Sequence, residues 1–128
     1  MTERTAPRTR RKAAERRGRR GEIWAALILT LKGYRILGRR VRTHAGEIDL
    51  VARAPSGIVC FIEVKARPKT RDAAQSVIPR QQARIVRAAT LYLAARPGLA
   101  AKGVRFDIVT VAPGGLPRHL RDAWRPER

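Results

Sequence analysis

Two apolar segments separated by a short turn constrain the fold of this chain most strongly. The segments are Glu47–Arg53, with the sequence EIDLVAR, and Ile58–Ala66, with the sequence IVCFIEVKA. Both are rich in β-branched residues and have the length of strands, and Pro55-Ser56-Gly57 between them is typical of a turn. The pattern predicts an antiparallel β-hairpin with charged residues inside otherwise apolar strands.

The length of the turn decides which residues pair across this hairpin. With three loop residues and the glycine in the left-handed conformation, Ala54 pairs with Ile58 and paired residue numbers sum to 112. A loop of two or four residues would give a different register. The three-residue loop is therefore a prediction on which the next step depends.

This register places two carboxylates opposite each other. Asp49 lies across from Glu63, and Glu47 lies across from Lys65. Like charges in such pairs repel, so a positive charge is needed between Asp49 and Glu63. Lys65 shares a strand face with Glu63 and compensates in part, whereas a hard divalent cation such as Mg²⁺ or Mn²⁺ compensates better because it prefers carboxylate oxygens. The alternative is an ordinary Glu63–Lys65 pair on a solvated sheet face.

The remaining elements indicate an α/β domain. Residues 21–32, GEIWAALILTLK, predict a helix that ends at Gly33. Its apolar face consists of Ile23, Trp24, Leu27, Ile28 and Leu31. A short strand is expected over 34–37, a helix over 79–95 and a further strand over 104–111. We therefore predict a single domain in which a central mixed sheet is flanked by helices.

The chain divides into an arm, a core and a tail. Residues 1–20 hold nine cations and two anions and no large apolar residue after Met1, so we expect a basic, disordered or partly helical arm. Residues 21–112 form the expected core. Residues 113–128 contain several Gly and Pro residues and predict a loop-like tail with a short turn or helix around 119–124.

The charge of the chain points to a polyanionic partner. It has 29 Lys and Arg against 10 Asp and Glu, a net charge of +19, and only five of the cations are lysines. Because arginine binds phosphate with a planar fork of donors, nucleic acid is the expected partner, although charge alone does not distinguish DNA from RNA. No apolar run approaches the roughly 18 residues of a membrane span, and one cysteine excludes an internal disulfide framework. We expect a cytoplasmic protein without membrane association.

Glu22 is a third candidate carboxylate, at the start of the first helix. It shares a helix face with Ala25, Ala26 and Leu29, and the two alanines are small enough to let it approach the strands. The alternative is that Glu22 only complements the helix dipole, as acidic residues in a first helical turn commonly do.

Five short motifs follow one another along the chain. They are Gly21-Glu22, Gly33-Tyr34, GEIDLV at 46–51, FIEVKAR at 61–67 and RFDIV at 105–109. Together they resemble the YraN-like family of uncharacterised bacterial proteins over residues 18–124. That family is similar to the restriction-endonuclease-like fold of the PD-(D/E)xK nucleases and, among these, to Holliday junction resolvases.

The resemblance implies a restriction-endonuclease-like fold and a metal-dependent endonuclease that hydrolyses phosphodiester bonds in DNA, including branched or structured DNA. It implies that Glu22, Asp49 and Glu63 bind Mg²⁺ or Mn²⁺ and that Lys65 lies beside the attacking water. In such a nuclease the backbone carbonyl of Val64 is a further candidate ligand. The candidate nucleic-acid contacts near this site are Arg39, Arg40, Arg42, Arg67, Arg71, Arg80, Gln82 and Arg84.

One position departs from the family pattern. The helix after the active strands usually begins with a Lys-Gln pair, whereas this chain has Gln81-Gln82. The missing lysine is a candidate phosphate contact, and Arg80 and Arg84 flank its position.

The sequence is compatible with three functions. They are a Mg²⁺-dependent endonuclease, a non-catalytic nucleic-acid-binding protein on a nuclease-like fold, and a basic accessory protein of the ribosome or of RNA. The set of Asp49, Glu63 and Lys65 favours the first. Cleavage of both strands of a duplex would require two sites and hence a homodimer.

Overall fold

The computed structural model describes residues 21–66, 77–112 and 114–126. A first helix, α1, covers residues 21–31. The other elements are β1 (Arg35–Thr43), β2 (Gly46–Arg53), β3 (Val59–Ala66), α2 (Pro79–Ala94), β4 (Val104–Val111) and β5 (Arg118–Leu120). The predicted arm of residues 1–20 lies outside the described residues.

The five strands form one mixed sheet in the order β1-β2-β3-β4-β5. Neighbouring strands are antiparallel except β3 and β4, which are parallel and are connected through α2. A parallel pair needs such a crossover because the chain must return to the starting edge of the sheet. The prediction of an α/β single domain with a central mixed sheet and flanking helices is confirmed.

The hairpin of β2 and β3 has the predicted turn and register. The backbone N–H of Ala54 donates to the carbonyl of Ile58 at 2.8 Å. Gly57 has a φ of 98°, in the left-handed region that favours glycine. The paired residues run from Arg53↔Val59 to Leu50↔Ile62, and all their numbers sum to 112. The ladder ends at this last pair, one residue before Asp49 and Glu63.

Each face of the sheet carries one helix and one apolar core layer. On one face, Val51 and Phe61 pack against Ile85 and Ala88 of α2. On the other face, Ala25 and Leu29 of α1 pack against a second cluster, which includes Leu50, Cys60 and Ile62. The burial of each large apolar side chain stabilises the fold by about 1.5–3 kcal/mol. The sheet is thereby held from both sides, which fixes the strand ends that carry the candidate site.

Three details differ from the sequence predictions. The strand expected over 34–37 is much longer, because β1 continues through its arginines to Thr43. The short turn or helix expected around 119–124 is in part a strand, β5, which pairs with β4 and is followed by a turn at 121–122. The apolar face identified on α1 is largely exposed: Leu31 is 78% exposed, and the helix buries its Ala25 side instead.

β2 changes its alternation at one position. Ile48 and Val51 both belong to the α2 layer, while Leu50 belongs to the α1 layer. Regular alternation along a strand would place Ile48 on the face opposite Val51, and that expectation from the sequence is wrong. On β1 the residue facing Asp49 is Arg40, because Val41 pairs with Ile48 and Arg39 pairs with Leu50. Arg40 has a φ of 51°, so the departure from regular strand geometry involves β1 as well as β2. Asp49 is the β2 residue at this position, between Ile48 and Leu50.

Candidate functional site

Asp49 lies where β2 and β3 separate. Its Oδ2 accepts a hydrogen bond from the backbone N–H of Val64 at 2.8 Å, so a carboxylate bridges the strands beyond the last backbone pair. Burial raises the pKa of Asp49, although the Val64 N–H and the charge of Lys65 lower it. The predicted opposition of Asp49 and Glu63 thus becomes close association at the end of the ladder.

Glu63 is the most deeply buried of the candidate carboxylates, with 6% of its surface exposed. Its Oε2 has no hydrogen-bond partner within the described residues. Burial first, and then the negative charge of Asp49, raise the pKa of Glu63 to about 8, against the lowering effect of the Asp49 backbone N–H, Lys65 and Arg84. At neutral pH this carboxyl therefore keeps a proton unless another cation takes the proton's place.

Glu22 approaches the same region from α1. Its side chain is 13% exposed, and its Oε1 lies 3.5 Å from Nε of Arg40. Burial raises the pKa of Glu22, and the charge of Asp49 raises it further, while Arg40 lowers it. Glu22 is therefore near Asp49. Its position in the first turn of α1 allows it to interact with the candidate site and not only with the helix dipole.

Lys65 lies on the α2 side of β3, beyond Glu63. Its Nζ donates to Oε1 of Gln81 on α2 at 3.4 Å, and its charge lowers the pKa of both Asp49 and Glu63. The described residues show no contact of Lys65 with Glu47, which pairs instead with Arg42 across β1 and β2 at 3.4 Å. The predicted Glu47–Lys65 pairing is replaced by Lys65–Gln81 because the ladder ends before that position.

A basic cleft lies along the N-terminal half of α2. It has a volume of about 370 Å³ and is lined by Ile78, Arg80, Gln81, Arg84 and Arg87. The Arg84 side chain crosses the β1–β2 turn, because a Cβ added to Gly46 would lie 2.9 Å from its Cδ. The charge of Arg84 also lowers the pKa of Glu63, so the cleft lies close to this carboxyl.

The other predicted nucleic-acid contacts have different positions. Arg39 and Arg42 are exposed on β1. Gln82 donates its amide Nε2 to the carbonyl of Val77 at 2.9 Å, so this side chain braces the start of α2. Arg67 and Arg71 lie outside the described residues.

Two residues gain a place in the site that sequence reasoning had not given them. Arg87 lines the basic cleft, and its spacing of three residues from Arg84 and seven from Arg80 was the available signal. Arg40 was predicted to contact nucleic acid, but it pairs with Glu22 and lowers the pKa of Asp49. Nothing in the sequence indicated that pairing, since it depends on the positive φ of Arg40 within β1.

The donor set fits a hard divalent cation in part. Within the described stretches, no three His, Cys, Asp or Glu residues form a compact metal-binding group, so Glu22 does not complete a three-carboxylate cluster with Asp49 and Glu63. The pair of Asp49 and Glu63 nevertheless supplies oxygen ligands, and one of these oxygens is buried without a partner. Thr110 Oγ1 and Trp124 Nε1 are also buried without partners, but neither is a carboxylate.

A second buried carboxylate, Asp107 on β4, belongs to a closed network. It accepts two hydrogen bonds from Arg105, at 2.8 and 2.7 Å, and one from the backbone N–H of Asp122 at 2.9 Å. His119 Nε2 lies 2.8 Å from it, and Lys32 Nζ lies 2.6 Å from His119 Nδ1. An ammonium only donates, so Nδ1 accepts and the Nε2–H of His119 donates to Asp107. Asp107 therefore has a structural role, apart from the candidate site.

The described part of the chain contains no helix that is long and apolar enough to cross a membrane.

The chain has many similar relatives among bacterial proteins. A UPF0102 protein of Paramagnetospirillum magneticum is 52% identical over 126 residues, covering 94% of this chain and 97% of the relative. A UPF0102 protein of Parvibaculum lavamentivorans is 48% identical over 130 residues, covering 96% of this chain and 97% of the relative. The model of the family described as "Uncharacterised protein family UPF0102" matches residues 21–111, which include Glu22, Asp49, Glu63 and Lys65. The predicted membership of the YraN-like family is confirmed, and the chain belongs to UPF0102.

Proposed function

We propose that this protein is a metal-dependent endonuclease that hydrolyses phosphodiester bonds in DNA. The observation that carries the proposal is the buried, unpartnered Oε2 of Glu63 beside Asp49. A protein has little reason to bury two carboxylates together at a strand end unless a cation neutralises them. The adjoining arginine-lined cleft supplies donors for a phosphate backbone.

The chain's own residues would divide the work as follows. Asp49 and Glu63 would hold the divalent cation, and the Val64 N–H fixes the orientation of Asp49. When bound, the cation lowers the pKa of a coordinated water and neutralises charge on the phosphate. Lys65 orients the attacking water or stabilises the negative charge that develops on the phosphate, and Gln81 steadies its ammonium group. Glu22 acts from the α1 side, on a second cation or a water.

The proposed substrate path follows α2. Arg80, Arg84 and Arg87 lie on the surface of the cleft beside the carboxylates, at a spacing that places them along one side of the helix. Such side chains contact phosphates without reading bases. The proposal therefore includes DNA of any sequence, with a preference for branched or structured forms as the family resemblance implies. It also includes the restriction-endonuclease-like fold and a cytoplasmic location.

A non-catalytic nucleic-acid-binding protein is the second candidate. The observation in its favour is the hydrogen bond between Lys65 and Gln81, which holds the lysine toward α2. If Glu63 is protonated, the hydrogen bond of Lys65 to Gln81 leaves a site that is stable without a bound metal ion. The basic surface would then bind nucleic acid without hydrolysing it.

Cleavage of defined DNA substrates separates these two functions. The assay offers linear, flapped and four-way-junction DNA to the wild type and to Glu63→Gln, with Mg²⁺ or Mn²⁺ and with chelator. The endonuclease proposal expects metal-dependent cleavage by the wild type, and at least about a hundredfold loss in the variant, which retains DNA binding. Equal binding with no cleavage by either protein would favour the second candidate.

A further inference from the structure

Arg40 has an unusual backbone and an unusual set of neighbours. Among the described residues, Arg40 and Asp122 are the two non-glycine residues with a positive φ, and the φ of Arg40 is 51°. Such a conformation is strained for a residue other than glycine, so the surrounding structure must hold it in place. The strand pairing on either side, Arg39↔Leu50 and Val41↔Ile48, provides that restraint.

The strained conformation places a guanidinium between two elements that carry candidate ligands. Arg40 faces Asp49 across β1 and β2, and its Nε lies 3.5 Å from Oε1 of Glu22 on α1. Its charge lowers the pKa of both carboxyls. The side chain remains 42% exposed, so it is free to leave this position without disturbing the core.

We propose that Arg40 is the resident counter-cation of Glu22 and Asp49 and that it competes with the divalent cation of the proposed site. This inference rests on the proposed function, because it requires that a metal ion binds there. A divalent cation held by Asp49 and a guanidinium that acts on the same carboxylate repel each other, so metal binding is favoured when Arg40 turns away.

Competition of this kind links the metal to the substrate. A phosphate backbone near β1 offers Arg40 a different anionic partner, and a guanidinium binds phosphate well. Any ligand that draws Arg40 away from Glu22 and Asp49 raises the affinity for the metal, and by reciprocity the metal raises the affinity for that ligand. Arg40 is thus a positioning residue through which DNA promotes metal loading.

Calorimetric titration with Mn²⁺ in the absence of DNA tests this inference. We expect Arg40→Gln to bind Mn²⁺ roughly three- to tenfold more tightly than the wild type, because one nearby positive charge is removed. Arg40→Lys should stay close to the wild type, since it keeps the charge. Arg35→Gln is the matched control, because it removes an exposed arginine from the same strand and should leave the affinity unchanged.

A second variant covers the case in which Arg40→Gln folds poorly. Arg40→Gly removes the same charge and suits a φ of 51°, so it should fold and bind Mn²⁺ more tightly as well. Equal Mn²⁺ affinity in the wild type, Arg40→Gln and Arg40→Gly would overturn the inference and leave the proposed metal site standing. Absence of Mn²⁺ binding in every protein would overturn the proposed metal site and the inference with it.

A titration with DNA present completes the test. With a non-cleavable phosphorothioate duplex bound, the Mn²⁺ affinity of the wild type should rise toward that of Arg40→Gln, whose own affinity should change less. An equal rise in both proteins would show that DNA acts on the metal without Arg40 and would contradict the proposed link.

Discussion

Glu63 on β3 and Asp107 on β4 are buried carboxylates on neighbouring parallel strands, and in register they are one residue apart. Asp107 receives hydrogen bonds from Arg105, His119 and the Asp122 N–H; burial alone would raise its pKa, but these partners hold the pKa below its usual value. Glu63 has one oxygen without a partner and a pKa raised to about 8. The structure therefore favours the ionised form of Asp107 on β4 and the protonated form of Glu63 on β3.

Under the proposed function, this difference separates a structural carboxylate, Asp107, from a ligand-binding carboxylate, Glu63. Asp107 is complete, so it needs nothing from outside the chain. The free oxygen of Glu63 has no hydrogen-bond partner, although the charges of Arg40, Lys65 and Arg84 act on the Asp49–Glu63 pair. A divalent cation would supply what Arg105 supplies to Asp107.

The largest expected effect is the loss of the Asp107 network. Asp107→Asn leaves Arg105 partly buried without its anion, which we expect to cost about 3–5 kcal/mol and to lower the Tm by about 10–20 °C. Glu63→Gln should leave the Tm at pH 7 unchanged or raise it, because it removes a poorly satisfied carboxyl. Thermal unfolding followed by circular dichroism measures both, with exposed Glu47→Gln as the control. A larger loss for Glu63→Gln than for Asp107→Asn would contradict the comparison.

The second effect is stabilisation by metal. At a free Mn²⁺ concentration of about 100 times the Kd, binding adds about 2.7 kcal/mol and should raise the Tm of the wild type by roughly 5–10 °C at pH 8.5. The rise should be smaller at pH 6.5, where a proton competes for Glu63. Asp107 has no free oxygen to offer a cation, so the Asp107→Asn protein should still show the rise, and Glu63→Gln should not.

The third effect is the pH dependence of stability. The pKa of Glu63 is raised in the folded protein, so between about pH 4.5 and pH 8 the folded state binds more protons than the unfolded state. The contribution of Glu63 to stability therefore falls as the pH rises through this window. Chemical unfolding of the metal-free protein should show Glu63→Gln gaining at least about 1 kcal/mol over the wild type between pH 5 and pH 8.5.

Asp107 should show the opposite sign. Because the pKa of Asp107 is lowered in the folded state, its contribution to stability is present above the unfolded pKa of about 3.8 and is lost as the pH falls below that value.

A constant difference in stability between the wild type and Glu63→Gln from pH 5 to pH 8.5 would show that Glu63 is not held in the protonated form.

The smallest expected effect concerns Gln81. Gln81→Lys introduces the lysine that the family resemblance implies at this position and replaces the Lys65–Gln81 hydrogen bond with a like-charge pair. Stability should change by less than about 0.5 kcal/mol, because such pairs near the surface contribute little. DNA affinity should rise several-fold at low salt and less at high salt, since one more phosphate contact is added. Gel-shift titrations at two salt concentrations measure this, and unchanged affinity would place position 81 off the substrate path.

Much of the fold could be predicted from local chemistry. The turn at residues 55–57, with Gly57 left-handed, set the register of β2 and β3. The proline at position 79 marked the start of α2. The extension of β1 could not be predicted, because its arginines look unlike a strand and are tolerated only through pairing with β2. β5 was missed for a similar reason: three residues form a strand only where β4 offers an edge.

The candidate site was predictable in composition but not in arrangement. Charged residues inside apolar strands identified Asp49 and Glu63, and the register placed them near each other. Two features depended on tertiary structure instead. The ladder ends at Leu50↔Ile62, which frees Asp49 to bind the Val64 N–H. Arg40, which has a positive φ within β1, forms an ion pair with Glu22 that no sequence spacing indicates.

A direct test is an NMR titration of the side-chain carboxyl carbons of Glu63 and Asp107, with and without Mg²⁺. Without Mg²⁺, Glu63 should titrate near pH 8 and Asp107 should remain ionised down to acidic pH. Saturating Mg²⁺ should lower the pKa of Glu63 by at least about 2 units, because the cation favours the ionised carboxyl, and should leave Asp107 unchanged. Titration of Glu63 near its ordinary value of 4.5, or at a pKa that Mg²⁺ does not move, would contradict a carboxylate pair prepared for a divalent cation.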